Sequence, residues 1–69
     1  MASRLWSDPR NPPVWVARRL GITRAQLSDA LHAIKRHAGL APRDRVILWD
    51  DGSVTDDANA WIGSIYDEI

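Results

Sequence analysis

A chain of 69 residues has room for one domain around one thin core, because a chain this short buries only about 60% of its unfolded surface. It contains no Cys, so neither a disulfide nor a thiolate metal site reinforces that core, and nothing points to an oxidising compartment. The formal net charge of zero hides a dipole: residues 1–46 carry eight Arg and one Lys against three Asp, a net of +6, whereas residues 47–69 carry five Asp and one Glu, a net of −6.

A basic half attracts phosphates or acidic surfaces and an acidic half repels them, so a polyanion would approach from one side. The longest aliphatic and aromatic run, Val46 to Trp49, is far shorter than the roughly 20 residues a membrane span requires. No signal-peptide apolar stretch opens the chain, and a soluble, cytoplasmic protein with no membrane partner is the expectation. Four Trp suggest that aromatic area stands in for length, each large ring burying on the order of 200 Å².

Residues 1–11 read as an extended arm, with Ser7-Asp8-Pro9 leading to Asn11-Pro12-Pro13. Asn11 suits the N-cap of a helix and Pro12 its first position, where the missing N–H costs nothing. That first helix is expected from about Pro12 to Leu20, with Val14, Ala17 and Leu20 as its apolar stripe, Val16 alongside and Gly21 as its stop. A second helix is predicted over roughly Arg24 to Ala38. Thr23 and Gln26 fit a capping box, Ile22 and Leu27 the hydrophobic staple around it, and Leu27, Leu31, Ile34 and Ala38 the core stripe. Gly39 followed by Leu40 matches a glycine stop whose next residue packs back on Ile34.

Beyond Pro42 the period shifts from about 3.6 to 2. Arg45 to Asp50 is rich in strand formers, Asp51-Gly52 is a hairpin signal and Ser53 to Asp56 can return antiparallel, in a register that sets Trp49 opposite Val54 and Leu48 opposite Thr55. Asp57-Ala58-Asn59 is a plausible turn into Trp61 to Tyr66, read as a third strand, with a C-terminal helix from Asn59 as the rival reading. The fold class is α+β: one domain over residues 1–69, made of the arm, two helices in 12–39 and an antiparallel three-stranded meander in 44–67 packed beneath them. The strand at 45–50 is apolar on both sides, so a homodimer or a protein partner is a further expectation.

The spacing Val16-Ala17-Arg18-Arg19-Leu20-Gly21-Ile22-Thr23-Arg24-Ala25-Gln26-Leu27 resembles the bacterial helix-turn-helix, with small Ala17 allowing close approach and Gly21 making the turn. That resemblance implies base-edge contacts from Thr23, Arg24, Ala25, Ser28 and His32, phosphate contacts from Arg18, Arg19, Lys35 and Arg36, and the Asp51-Gly52 hairpin as a wing. The two histidines diverge by about 140° around the second helix and cannot converge on one phosphodiester. His32 has Asp29 three residues before it and Arg36 four after, a surface row able to orient a base and hold a phosphate, whereas His37 lies beside Ala30 and Ala33 as a packing or interface residue. The late carboxylates have no calcium-loop spacing and suit turns, so neither a metal nor another cofactor is expected.

From Leu31 onward the runs Leu31-His32-Ala33-Ile34-Lys35, Gly39-Leu40, Asp44-Arg45-Val46-Ile47, Asp51-Gly52-Ser53-Val54-Thr55-Asp56 and Ile62-Gly63-Ser64-Ile65-Tyr66-Asp67-Glu68 resemble C-terminal tip domains of bacterial polymorphic toxins of the Rhs and filamentous-haemagglutinin kinds. Some of these are small ribonucleases. The resemblance implies a ribonuclease-like site with His32 and Lys35 on the helix and Arg45 at the strand entrance as catalytic candidates. Three functions are therefore carried forward: a ribonuclease-like toxin domain acting on RNA, a winged or plain helix-turn-helix module binding DNA, and a non-enzymatic interaction or oligomerisation module.

Overall fold

The computed structural model describes residues 2–7 and 12–69. Element order is β1 (Arg4–Ser7), α1 (Val14–Leu20), α2 (Arg24–His37), β2 (Val46–Trp49), β3 (Ser53–Asp56), β4 (Trp61–Ser64) and α3 (Ile65–Glu68). The chain is α+β, but its antiparallel sheet has four strands in the order β1-β2-β3-β4 rather than three. The fourth comes from the arm, whose Arg4, Trp6 and Ser7 stand opposite Trp49, Leu48 and Ile47.

Helix α1 starts at Val14, two residues later than expected, with Pro13 as an extended N-cap and no side-chain cap. Pro13 is itself the reason: a residue preceding proline is driven out of the α region, so Pro12 cannot open a helix. Asn11 lies outside the described residues. The buried stripe is Val16, Ala17 and Leu20, which cluster at 100° per residue, while Val14 lies off it and is exposed.

Helix α2 carries both halves of the capping box, Thr23 Oγ1 accepting from Gln26 N and Gln26 Oε1 accepting from Thr23 N, each at 3.0 Å. Both helices end in the same device. After α1, Gly21 N donates to Arg18 O and Ile22 N to Ala17 O; after α2, Gly39 N donates to Arg36 O and Leu40 N to Lys35 O. These paired bonds satisfy carbonyls that the helix ends would leave open, and they need the left-handed glycines at φ +75° and +74°. Ala38 falls after α2 as its C-cap and is exposed, and Ala30 takes its place in the stripe.

The β2–β3 hairpin differs from expectation by one residue. Leu48 stands opposite Val54, and Ile47 opposite Thr55, because the loop holds three residues, Asp50-Asp51-Gly52. Gly52 N donates to Trp49 O at 3.0 Å, and Gly52 follows at φ +89°, the turn-plus-left-handed-glycine loop rather than the two-residue turn that Asp-Gly suggests. In the next hairpin, Asp56 Oδ1 accepts from Ala58 N and Ala60 N at 2.9 Å, confirming the turn at 57–59. Trp61 to Ser64 forms the expected strand, which ends two residues early in one helical turn at Ile65–Glu68; no helix starts at Asn59.

One sheet face packs under the helices. Val46, Leu48 and Val54 join Val16, Ala17, Leu20, Leu27, Ala30, Leu31, Ile34 and Ile65 in a single core, with Leu5 and Trp6 of β1 packed on it. The other face carries Ile47, Trp49, Thr55 and Trp61 by register. There Trp49 Nε1 donates to Thr55 Oγ1 at 2.9 Å, Ile47 is buried, and Trp61 is 64% exposed. Among the described residues no helix is long and apolar enough to cross a membrane.

Candidate nucleic-acid interface

The glycine turn after α2 folds the chain back along the helix, and this places Gly39, Leu40 and Pro42 beside His32, Lys35 and Arg36. Together they line an open groove of about 560 Å³. Lys35 is its structural centre. Only 6% of the residue is exposed, and its Nζ donates to Pro42 O at 2.8 Å. Burial pushes the ammonium pKa below the ordinary lysine value, and the nearby Asp44 carboxylate works against that shift. Asp44 also ties the loop, accepting from Ala41 N through Oδ2 at 2.9 Å. His32 and Arg36 are exposed, so the groove offers two exposed basic side chains and one committed ammonium.

Arg45 is not in this groove. It lines a neighbouring depression of about 310 Å³ with Asp44, Asp56 and Asp57, and Leu40 is the residue that borders both. The three side chains expected to form a catalytic set are thus divided: His32 with Lys35, and Arg45 among carboxylates. No protein-family model, curated protein or solved structure matches this chain.

The residues expected to contact nucleic acid divide in a second way. Arg18 and Arg19 are exposed in the last turn of α1, where cations also oppose the negative end of the helix dipole. Thr23 caps α2, and Arg24 Nε donates to Pro12 O at 3.0 Å, so both contribute to holding the αα corner. Ser28 is half-buried. On α2 the outward row is Ala25, Ser28, Asp29, His32 and Arg36, with Asp29 at its middle. The hairpin expected as a wing is packed at its tip: Gly52 is buried, and Ile65 N donates to Gly52 O at 2.8 Å.

Four of the carboxylates accept backbone amides within the chain's own loops. Besides Asp44 and Asp56, Asp50 Oδ1 accepts from Ser3 N at 3.1 Å and Asp51 Oδ1 from Ser53 N at 2.9 Å. The hydrogen bonds from Ser53 hold the Asp51 carboxyl below its ordinary pKa. Among the described residues no Arg or Lys reaches a carboxylate within 4.0 Å; the one such contact is His37 Nδ1 to Glu68 Oε2, at 4.0 Å. His37 is accordingly an exposed residue facing α3 rather than one packed among alanines. Among the same residues no three acidic or imidazole side chains converge as metal ligands.

The reading of α1 missed Trp15, which is 56% exposed and lies one turn before both Arg18 and Arg19. The signal was present: with Val16, Ala17 and Leu20 inward, the outward side of this short helix is Val14, Trp15, Arg18 and Arg19.

Proposed function

We propose that this chain is a nucleic-acid-directed domain that binds the phosphate backbone through its α1–α2 side, with the groove of His32, Lys35 and Arg36 as one phosphate seat. What carries this reading is the different employment of the two signs of charge. Arg18, Arg19 and Arg36 are exposed and reach no carboxylate among the described residues. Asp44, Asp50, Asp51 and Asp56 meanwhile accept backbone amides. A segregated cationic surface of this kind supplies the salt-dependent, sequence-independent part of nucleic-acid affinity.

Strand cleavage of RNA is the reaction such a groove would support. A neutral His32 imidazole would take the proton from a ribose 2′-hydroxyl, while Arg36 stabilises charge growing on the phosphate. The step also needs a proton for the leaving oxygen. Lys35 Nζ is engaged by Pro42 O and Arg45 lines the other depression, so the geometry favours binding over cleavage. A helix-turn-helix contact with duplex DNA is supported by the glycine turn and the cap at Thr23, and opposed by Asp29 at the centre of the outward row of α2.

The test is incubation with tRNA and with duplex DNA at two salt concentrations. Salt-dependent binding without cleavage is the expected result. Cleavage abolished by His32→Ala would establish the ribonuclease reading instead, and neither binding nor cleavage would leave only an interaction module.

A further inference from the structure

We infer that the outward side of α1 is a stacking platform for single-stranded nucleic acid, with Trp15 seating a base and Arg18 and Arg19 holding the adjoining phosphates; the inference rests on the nucleic-acid reading above and narrows its substrate class. A large indole left more than half exposed on a helix that buries three of its seven residues is not serving the core. Its neighbours at i+3 and i+4 are both Arg, and no Asp or Glu occurs anywhere in α1. Arg24 places a further guanidinium by the start of α1, where its Nε donates to Pro12 O, three residues before Trp15.

An aromatic face bordered by cations matches the two-part chemistry of a nucleotide in an unpaired strand. The base supplies a π-face that any sequence offers, and the phosphate supplies the charge. A paired duplex keeps its bases within the stack, so it would use the arginines and leave the indole idle. The outward row of α2 offers no such combination, since it carries Asp29 and, apart from the small His32 imidazole, no aromatic ring. Charge complementarity thus selects the occupant: a polyanion with exposed rings.

The experiment is fluorescence anisotropy at two salt concentrations, with a labelled single-stranded oligouridylate RNA of about 12 nucleotides, within the span such sites cover, and with a duplex of equal length. Anionic phospholipid vesicles form a third arm. The wild-type chain is expected to prefer the single strand. Trp15→Ala should weaken that binding about tenfold, as expected for one base stacked on one ring, with the salt slope unchanged. Trp15→Phe should retain most of the affinity, and Arg18→Ala should lower the salt slope by about one. The exposed position of Trp15 leaves the core intact, which far-UV circular dichroism checks. Equal single-strand affinity in wild type and Trp15→Ala overturns the platform while the broader nucleic-acid reading stands. Loss of vesicle binding in Trp15→Ala with RNA binding unaffected overturns it in favour of a lipid surface. If the wild type binds neither nucleic acid, both proposals fall together.

Discussion

The Tyr66 hydroxyl donates to the Leu20 carbonyl at 2.7 Å, joining residues 46 apart in sequence, while its ring covers Gly52 at the tip of the β2–β3 hairpin. One side chain therefore ties the end of α1 to a loop of the sheet. A Cβ on Gly52 would come within 2.6 Å of the Tyr66 ring, and the φ of +89° there already disfavours any side chain. Gly52→Ala is expected to cost about 2–3 kcal/mol in urea unfolding, from ring displacement added to backbone strain. Tyr66→Phe, which only removes the hydrogen bond, should cost about 1 kcal/mol. In a Tyr66→Ala background the Gly52→Ala penalty should shrink to its backbone part, so the two substitutions must be non-additive. Additivity would show that the ring does not rest on the tip.

Gly63 in β4 has a different reason for being glycine. Its backbone is not in the left-handed region, but a Cβ there would lie 3.1 Å from two carbons of the buried Ile34 side chain, so α2 sits directly on this strand. Gly63→Ala should destabilise by about 1–2 kcal/mol through overpacking. In an Ile34→Ala background, which opens space at that point, the same substitution should be neutral or stabilising. Denaturant midpoints of the four chains measure the sign directly.

What was legible in the sequence was mostly local. The capping box at Thr23 and Gln26, the glycine stops at Gly21 and Gly39, and the turn at 57–59 each depend on residues a few positions apart, and each is realised. Three things were not legible for physical reasons. The pairing of Arg4–Ser7 with β2 joins segments about 40 residues apart through backbone bonds that four residues of mixed character do not advertise. The hairpin register depends on which loop the glycine serves, and Asp50-Asp51-Gly52 fits two of them. The division of Arg45 from His32 and Lys35 depends on how the loop after Gly39 folds back, and hence on Leu40 coming between the two depressions. The burial of Lys35 follows from the same fold-back: on a helical wheel it lies beside the stripe, and the returning loop brings Pro42 O to its ammonium.

Asp51 sets a pH dependence with a definite sign. Its folded pKa lies below the ordinary value because Ser53 hydrogen-bonds the charged form. The stabilisation is therefore fully present above the unfolded pKa, near 3.8, and is lost as pH falls through the folded value. Asp51→Asn keeps an oxygen able to accept from Ser53 N but does not titrate. Thermal unfolding between neutral pH and about pH 2 should show a shallower acid loss in Asp51→Asn than in wild type. Parallel curves would mean that the Ser53 bonds do not favour the carboxylate.

The division of the basic residues makes the sharpest prediction about binding. Arg36 lines the groove with His32 and faces no carboxylate within 4.0 Å among the described residues, whereas Arg45 borders a depression it shares with Asp44, Asp56 and Asp57. A phosphate approaching Arg45 meets three like charges and one opposite charge, whereas the groove that Arg36 lines holds no carboxylate, the nearest on its own row being Asp29 two turns away. Arg36→Ala should accordingly weaken RNA binding and reduce the slope of log affinity against log salt by about one. Arg45→Ala should leave both nearly unchanged, although each substitution removes one formal charge. Equal losses from the two would mean that binding responds to net charge alone and that the α1–α2 surface has no special part in it.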